Sequence, residues 1–112
     1  MGEWIEREDY RKKILYDEED LNSRGVLVQL VEVESGNKVG PHYHKNQTEV
    51  YNIQRGNAIL GIDDMDFKAE KGDTLICEPG QVHYVINDSS EKFRLLVIKT
   101  NYEEGDTFWG TK

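Results

Sequence analysis

The chain has three histidines, and their spacing together with one glutamate suits the binding of a metal ion. His42 and His44 are two residues apart in a segment that is predicted to be a strand, so both imidazoles point to the same face of it. Glu49 follows a short polar turn, and a hairpin there returns its carboxylate to the vicinity of His44. His83 begins another predicted strand far along the chain. These four side chains are therefore our candidate ligands.

Three imidazoles and one carboxylate favour a divalent transition-metal ion. Neutral nitrogen ligands suit Zn, Cu, Fe and Ni, and the harder carboxylate oxygen extends the range to Mn. Four protein ligands around a six-coordinate ion leave two positions for water, substrate or dioxygen. Such open positions distinguish a catalytic metal site from a structural site, where protein ligands fill all positions. A His-x-His pair alone would equally suit two hydrogen-bonded imidazoles, so the prediction depends on all four residues occurring together.

Apolar alternation and turn residues predict that β-strands position these ligands. Short segments are separated by turn signals rich in Gly, Asn, Asp and Pro, which is typical of an antiparallel sandwich or barrel. In the segment 30–34 the valines share one face and the glutamates the other. The predicted strands are Arg11–Tyr16, Val26–Glu34, Val39–His44, Glu49–Gln54, Asn57–Ile62, Asp66–Lys68, Thr74–Glu78, His83–Asn87 and Phe93–Thr100. We therefore expect an all-β fold.

The last predicted strand, 93–100, is apolar on both faces after Arg94. Its outer face must then be covered, either by a second subunit or by the termini of the chain. Both ends of the chain carry aromatic residues, which frayed termini seldom do. We predict a homodimer, and the segment Trp4–Tyr10 either caps its own barrel or pairs with the partner. Phe108 and Trp109 either close the barrel mouth or pack on the exterior.

The candidate ligands also carry a resemblance to the cupin family. The first cupin motif, G-x5-H-x-H-x(3,4)-E-x6-G, is matched in full over residues 36–56. The second, G-x5-P-x-G-x2-H-x3-N, is matched over residues 72–87, except that Glu78 takes the proline position and the proline stands at Pro79. The matching residues are Gly36, His42, His44, Glu49 and Gly56 in the first motif, and Gly72, Gly80, His83 and Asn87 in the second.

The resemblance implies a double-stranded β-helix, which is the jelly-roll barrel of cupins. We expect residues 1–112 to form one cupin domain, with one divalent ion held inside the barrel near one mouth. The resemblance assigns the ion to His42, His44, Glu49 and His83. Similar single-domain cupins include dioxygenases, isomerases, epimerases and lyases, so the scaffold does not fix the reaction.

Three functions are compatible with such a site. The first is a metal-dependent enzyme of dioxygenase, isomerase or lyase type, acting on a small molecule inside the barrel. The second is a non-catalytic module that uses the metal to bind a sugar or another small metabolite. The third, a purely structural metal, is disfavoured because four ligands facing a cavity leave the ion open. A proton-transfer group beyond the ligands would favour the enzyme, and the sequence alone nominates no Lys or Arg for the cavity.

The composition excludes several classes of partner. The net charge is -8, with 22 acidic and 14 basic residues, so there is no basic face for nucleic acid or anionic membrane. No apolar run approaches the roughly 18 residues of a membrane span, and the first residues lack a signal-peptide pattern. The single cysteine, Cys77, cannot form an internal disulfide and is expected to be a buried thiol. We expect a cytoplasmic protein.

Overall fold

The computed structural model describes residues 2–111, and β-strands make up all of the regular secondary structure there. Each of the nine predicted strands has an observed counterpart, and 11–16, 57–62 and 93–100 have the predicted bounds. Among the described residues there is no helix with the length and apolar character of a membrane span. The strands are β1 (Trp4–Glu6), β2 (Arg11–Tyr16), β3 (Leu27–Val33), β4 (Lys38–Tyr43), β5 (Thr48–Arg55), β6 (Asn57–Ile62), β7 (Met65–Glu70), β8 (Thr74–Cys77), β9 (His83–Ile86), β10 (Phe93–Thr100) and β11 (Phe108–Trp109).

The strands form two antiparallel sheets that enclose one core. The six-stranded sheet has the order β1-β2-β3-β10-β5-β8, and the five-stranded sheet has the order β11-β4-β9-β6-β7. Strands distant in sequence are neighbours, such as β3 with β10 and β4 with β9, which is the wound topology of a double-stranded β-helix. The prediction of an all-β jelly-roll barrel is therefore confirmed. The largest fully buried apolar side chains are Phe93, Ile53, Leu60, Val33 and Val97.

An ion cluster on the outer face of the six-stranded sheet fixes one wall of the barrel. Glu32 of β3 stands opposite Arg11 of β2 and Arg94 of β10, with nitrogen–oxygen distances of 2.6 and 2.7 Å. Burial raises the pKa of Glu32, but the two guanidiniums outweigh it and the pKa lies below its usual value. Because the three strands are tied in register here, the residues on their inner face keep fixed positions.

The terminal strands pair within the chain. β1 pairs with β2, so the first aromatic segment joins its own barrel, and β11 pairs with β4. Neither strand covers the outer face of β10, where Ile98 lies between Val28 and Val50 and remains 37% exposed. The apolar patch that the sequence indicated on this strand is thus accessible on the surface.

Candidate metal centre

A β-bulge in β4 turns the two histidines of this segment into the barrel. Val39 pairs with Val85 of β9, and the next pair in the ladder is His42 with His83. β4 therefore has one residue more than β9 between these pairs, and the side-chain alternation is reversed. Val39 and His42 both face the interior although they are three residues apart. The Gly-Pro pair between them forms the bulge, where the missing N–H of proline removes no ladder hydrogen bond.

The Nδ1 atom of each imidazole lies within hydrogen-bond distance of a backbone carbonyl oxygen. The pairs are His42 with Gly40 at 2.8 Å, His44 with Asp106 at 2.7 Å, and His83 with Gln81 at 3.1 Å. A carbonyl oxygen can only accept, so an Nδ1 atom that makes this bond carries the proton and donates it; Nδ1 of His83 also lies 3.3 Å from Sγ of Cys77. The Nε2 atom of each neutral ring then keeps its lone pair, which is the tautomer that ligation through Nε2 requires.

The three rings converge closely enough to hold a metal ion. One ring nitrogen of each of His42, His44 and His83 lies within 4.8 Å of the others. The Nε2 atom of His83 is buried and has no hydrogen-bond partner among the described residues. Leaving a buried polar atom unsatisfied costs about 1–3 kcal/mol, so this atom requires an explanation. A divalent ion between the rings would satisfy it, so the residues present fit a metal ion.

Glu49 lies beside the three rings, where its carboxylate faces two imidazole nitrogens. Its Oε1 atom is 3.1 Å from Nε2 of His44 and 3.2 Å from Nε2 of His83, and Tyr51 donates a 2.7 Å hydrogen bond to the same oxygen. The lone pairs of the carboxylate oxygen and of an unprotonated Nε2 atom repel each other at this distance unless a cation lies between them. Burial lowers the pKa of His44, but Glu49 prevails and the pKa is raised, so the carboxylate favours positive charge at this position. A metal ion would supply that charge.

His42 and Glu49 are in the states that metal binding needs at neutral pH. Burial, and then repulsion from His83, lower the pKa of His42 to about 4, so this ring is neutral. Burial raises the pKa of Glu49, but His44 and His83 outweigh it, and the pKa lies well below its usual value. A neutral imidazole and an ionised carboxylate can both ligate without losing a proton.

The loop that carries His44 is held by Asp106, a residue to which the sequence analysis assigned no role. Its carboxylate accepts hydrogen bonds from the backbone N–H groups of Lys45, Asn46 and Gln47 at 2.8, 2.9 and 3.1 Å. Its own carbonyl oxygen is the acceptor of the His44 Nδ1 proton. Asp106 is therefore a positioning residue for His44, and a single sequence contains no pattern that connects these distant positions.

Strand β11 brings one of the two C-terminal aromatic rings to the candidate site. Trp109 is paired with His42, and their ring centroids are 4.5 Å apart. Phe108 stacks on Tyr43 at 5.5 Å on the other face of β4. Of the two alternatives for these residues, Trp109 therefore borders the mouth and Phe108 packs outside it.

Two lysines line the same cavity, although sequence reasoning did not place a basic residue there. Lys99 of β10 lies opposite Glu49, with its Nζ 4.0 Å from Oε2, and is 9% exposed. Lys12 of β2 lines the other side. Burial lowers the pKa of both lysines, and repulsion from Lys99 lowers that of Lys12 further. Strand alternation was a usable signal, since Lys12 falls on the face opposite to Arg11 and Lys13.

The candidate ligands border a cavity of about 120 Å³ inside the barrel. Apolar side chains, among them Val31, Val97 and Leu60, form its deeper wall. His42, His44, Glu49 and His83 therefore lie together on the surface of a space that a small molecule can enter. Their role as ligands of an ion stays a prediction.

Comparison with known proteins agrees with this architecture. The family model of the cupin domain matches residues 29–99. A protein of Methanocaldococcus jannaschii is 31% identical over 75 residues, which are 65% of this chain and 60% of that protein. The chain thus spans less than two thirds of the length of that relative. An oxalate-binding protein of Thermotoga maritima is 23% identical over 84 residues, which are 75% of this chain and 69% of that protein.

A solved structure has the same fold over most of its length. It is a predicted oxalate decarboxylase from Thermotoga maritima, with a TM-score of 0.77 and 20% sequence identity. The match covers 88% of this chain and 90% of that one. At this identity the likeness is evidence for the fold alone.

Proposed function

The chain belongs to the cupin family, and on that premise we propose that it is a metal-dependent enzyme acting on a small molecule. One divalent transition ion (Mn, Fe, Zn, Ni or Cu) is held by His42, His44, Glu49 and His83. The observation that carries the proposal is that one ring nitrogen from each of three histidines lies within 4.8 Å of the others beside a cavity, while each Nδ1 atom is near a backbone carbonyl oxygen.

The residues around the ion have separate tasks. When bound, the ion would supply Lewis-acid or oxygen-binding chemistry at the positions that the protein leaves open. The backbone carbonyls orient the imidazoles, and Tyr51 holds Glu49 through its hydroxyl. Trp109 shields the ring of His42 from water. Lys99 beside Glu49 is the ionisable group beyond the ligands that an enzyme needs for proton transfer.

The alternative is a non-catalytic module that binds a small metabolite through the metal. The similarity to an oxalate-binding protein is the observation that favours it. A buried lysine and a buried tyrosine on the same carboxylate support the enzyme, because a module for binding alone does not need them. We therefore rank the enzyme first, of lyase, isomerase or dioxygenase type.

Elemental analysis of untagged protein, purified without chelators, tests the proposal. We expect about one transition-metal ion per chain. Oxygen uptake in the presence of small carboxylic acids then tests for a dioxygenase, and loss of carbon-bound proton signals in D₂O tests for an isomerase or lyase. Saturable binding without either reaction would favour the binding module. Failure to take up any of the five metals, even after reconstitution, would contradict both functions.

We also propose that the chain is a homodimer, formed through the outer face of β10. Ile98 and its neighbours Val28 and Val50 make an apolar surface that a second copy would cover. Sedimentation at micromolar concentration should give a dimer for the wild type and a monomer for Ile98→Glu. Met65→Glu, at a 60% exposed position of the other sheet, is the matched control and should stay dimeric. A monomeric wild type would refute the proposal. The cytoplasmic location stays a prediction.

A further inference from the structure

Lys12 is a cation on the wall of the barrel cavity that makes no ion pair with the described residues. Alternation along β2 places Arg11 and Lys13 on the outer face and Lys12 on the inner one, opposite Val31. Arg11 is paired with Glu32, whereas within residues 2–111 Lys12 has neither an ion pair nor a hydrogen bond from its ammonium group. A half-buried ammonium group that lines a cavity, with Glu49 as a distant carboxylate that it shares with Lys99, is suited to a ligand that carries negative charge.

Lys99 adds a second positive charge to the same cavity. Its ammonium group is 4.0 Å from Oε2 of Glu49 and lies 5.2 Å from the ring centroid of Tyr102. The other oxygen of Glu49 is already shared by Tyr51 and the imidazoles. One carboxylate thus faces two lysines, and with a divalent ion in place the cavity has a clear excess of positive charge. A ligand that compensates this positive charge must be an anion.

Gln29 adds a third polar group to the cavity, an uncharged acceptor that a ligand should satisfy. Its Oε1 atom is buried and has no hydrogen-bond partner in the described part of the chain, and the side chain lines the cavity. Gln29 lies between Ile14 and Val97 on the inner face, so neither neighbour in the sheet can donate a hydrogen bond to it. A ligand with a hydroxyl group would satisfy this acceptor.

The size and the apolar wall of the cavity limit the ligand further. An apolar cavity of about 150 Å³ accommodates benzene, which has six non-hydrogen atoms. The 120 Å³ observed here is about four fifths of that volume and is partly open, so it fits a molecule of about five or six such atoms. Val31 and Val97 on the wall favour a ligand with a short carbon skeleton over a bare inorganic anion.

From these four observations we propose that the cavity binds a small hydroxy acid of about six non-hydrogen atoms. Its carboxylate lies with Lys12 and Lys99, its hydroxyl reaches Gln29, and an oxygen of the same molecule is available to the ion. The assignment rests on the proposed function, since it names the substrate class of that metal site. It makes Lys12 the residue that determines specificity for acids.

Calorimetric titration of zinc-loaded protein with lactate and with lactamide tests the assignment. The two probes have nearly the same shape, but lactamide is neutral. We expect lactate to bind at least about tenfold more tightly than lactamide. Lys12→Met should weaken lactate binding by about tenfold or more and leave lactamide binding unchanged, because only the charged probe uses the ammonium group. Lys99→Met should also weaken lactate binding.

Lys13→Met is the matched control, since Lys13 is the next residue on the outer face and lies over the ring of Trp4. It should leave both titrations unchanged. Thermal unfolding of each variant, and its zinc content, separate a loss of fold or metal from a loss of the acid site. Lys12→Gln repeats the test if Lys12→Met does not fold.

The outcomes separate this inference from the proposed function. Equal affinity for lactate and lactamide in zinc-loaded protein, or an unchanged lactate affinity in both lysine variants, would overturn the acid site and leave the metal centre standing. Tighter binding of inorganic phosphate than of lactate would overturn the choice of an organic acid. If the protein takes up no metal, the same titrations on metal-free protein still apply, and a lactate preference that requires Lys12 would support the acid site alone.

Discussion

Replacement of His83 by alanine should lower the affinity for Zn²⁺ by at least about 100-fold. His42 and His44 come from one segment, and His83 is the only histidine that joins them from another strand, as the direct partner of His42 in the ladder. Loss of residues that merely orient metal ligands typically costs 10–100-fold in affinity, so loss of a ligand should cost more. Competition titration against a chromogenic chelator at pH 7.5 measures the change.

Tyr84→Phe is the control for this experiment. Tyr84 is the neighbour of His83 on the opposite face of β9, and its hydroxyl donates to Asp66 outside the cavity. The variant should bind Zn²⁺ like the wild type, which excludes a general effect of mutating β9. Stoichiometric, tight metal in His83→Ala would show that the proposed ligand set is wrong, provided that far-ultraviolet circular dichroism shows an intact barrel.

The parts of the site that a single sequence predicts are those that depend on local periodicity. His42 and His44 were assigned to one face by their spacing, and both lie in the cavity. The spacing argument holds for these two histidines. What it did not predict is that Val39 faces the interior as well, because an unbroken strand would have placed Val39 and His42 on opposite faces. The bulge brings both inside, and a Gly-Pro pair inside a predicted strand is a signal from which it could have been inferred.

The parts that the sequence did not predict depend on contacts between distant strands. Whether Lys99 meets Glu49 depends on β10 lying beside β5, which is a matter of sheet order and not of local pattern. Glu32 was placed on the correct face, but its burial depends on two arginines supplied by two other strands. The role of Asp106 is harder still to predict, because its carboxylate binds the backbone of a loop that is distant in sequence.

Replacement of Asp106 by alanine should lower the free energy of unfolding by about 2–4 kcal/mol. Three backbone N–H groups lose a charged acceptor, and hydrogen bonds to charged groups contribute about 1.5–3 kcal/mol each before non-additivity is considered. Urea unfolding of metal-free protein at pH 7 measures the loss. Asp73→Ala is the control, since that carboxylate accepts one turn amide and is exposed, so water replaces the lost bond and the cost should be about 1 kcal/mol or less. Equal losses in the two variants would refute the assigned role.

The pH dependence of the Asp106→Asn variant separates the charge of Asp106 from its shape. Burial raises the pKa of Asp106, but the three amides prevail and lower it in the folded protein. A lowered folded pKa stabilises the protein above the unfolded pKa of about 3.9, and the contribution is lost as the pH falls towards the folded value. The stability difference between wild type and Asp106→Asn should therefore shrink below about pH 4. The charge of His44 also lowers the pKa of Asp106, so protonation of this imidazole adds its own change to the difference at higher pH. A difference that widens below about pH 4 would mean that the carboxylate is not held by these amides, and the loop of His44 would then need another anchor.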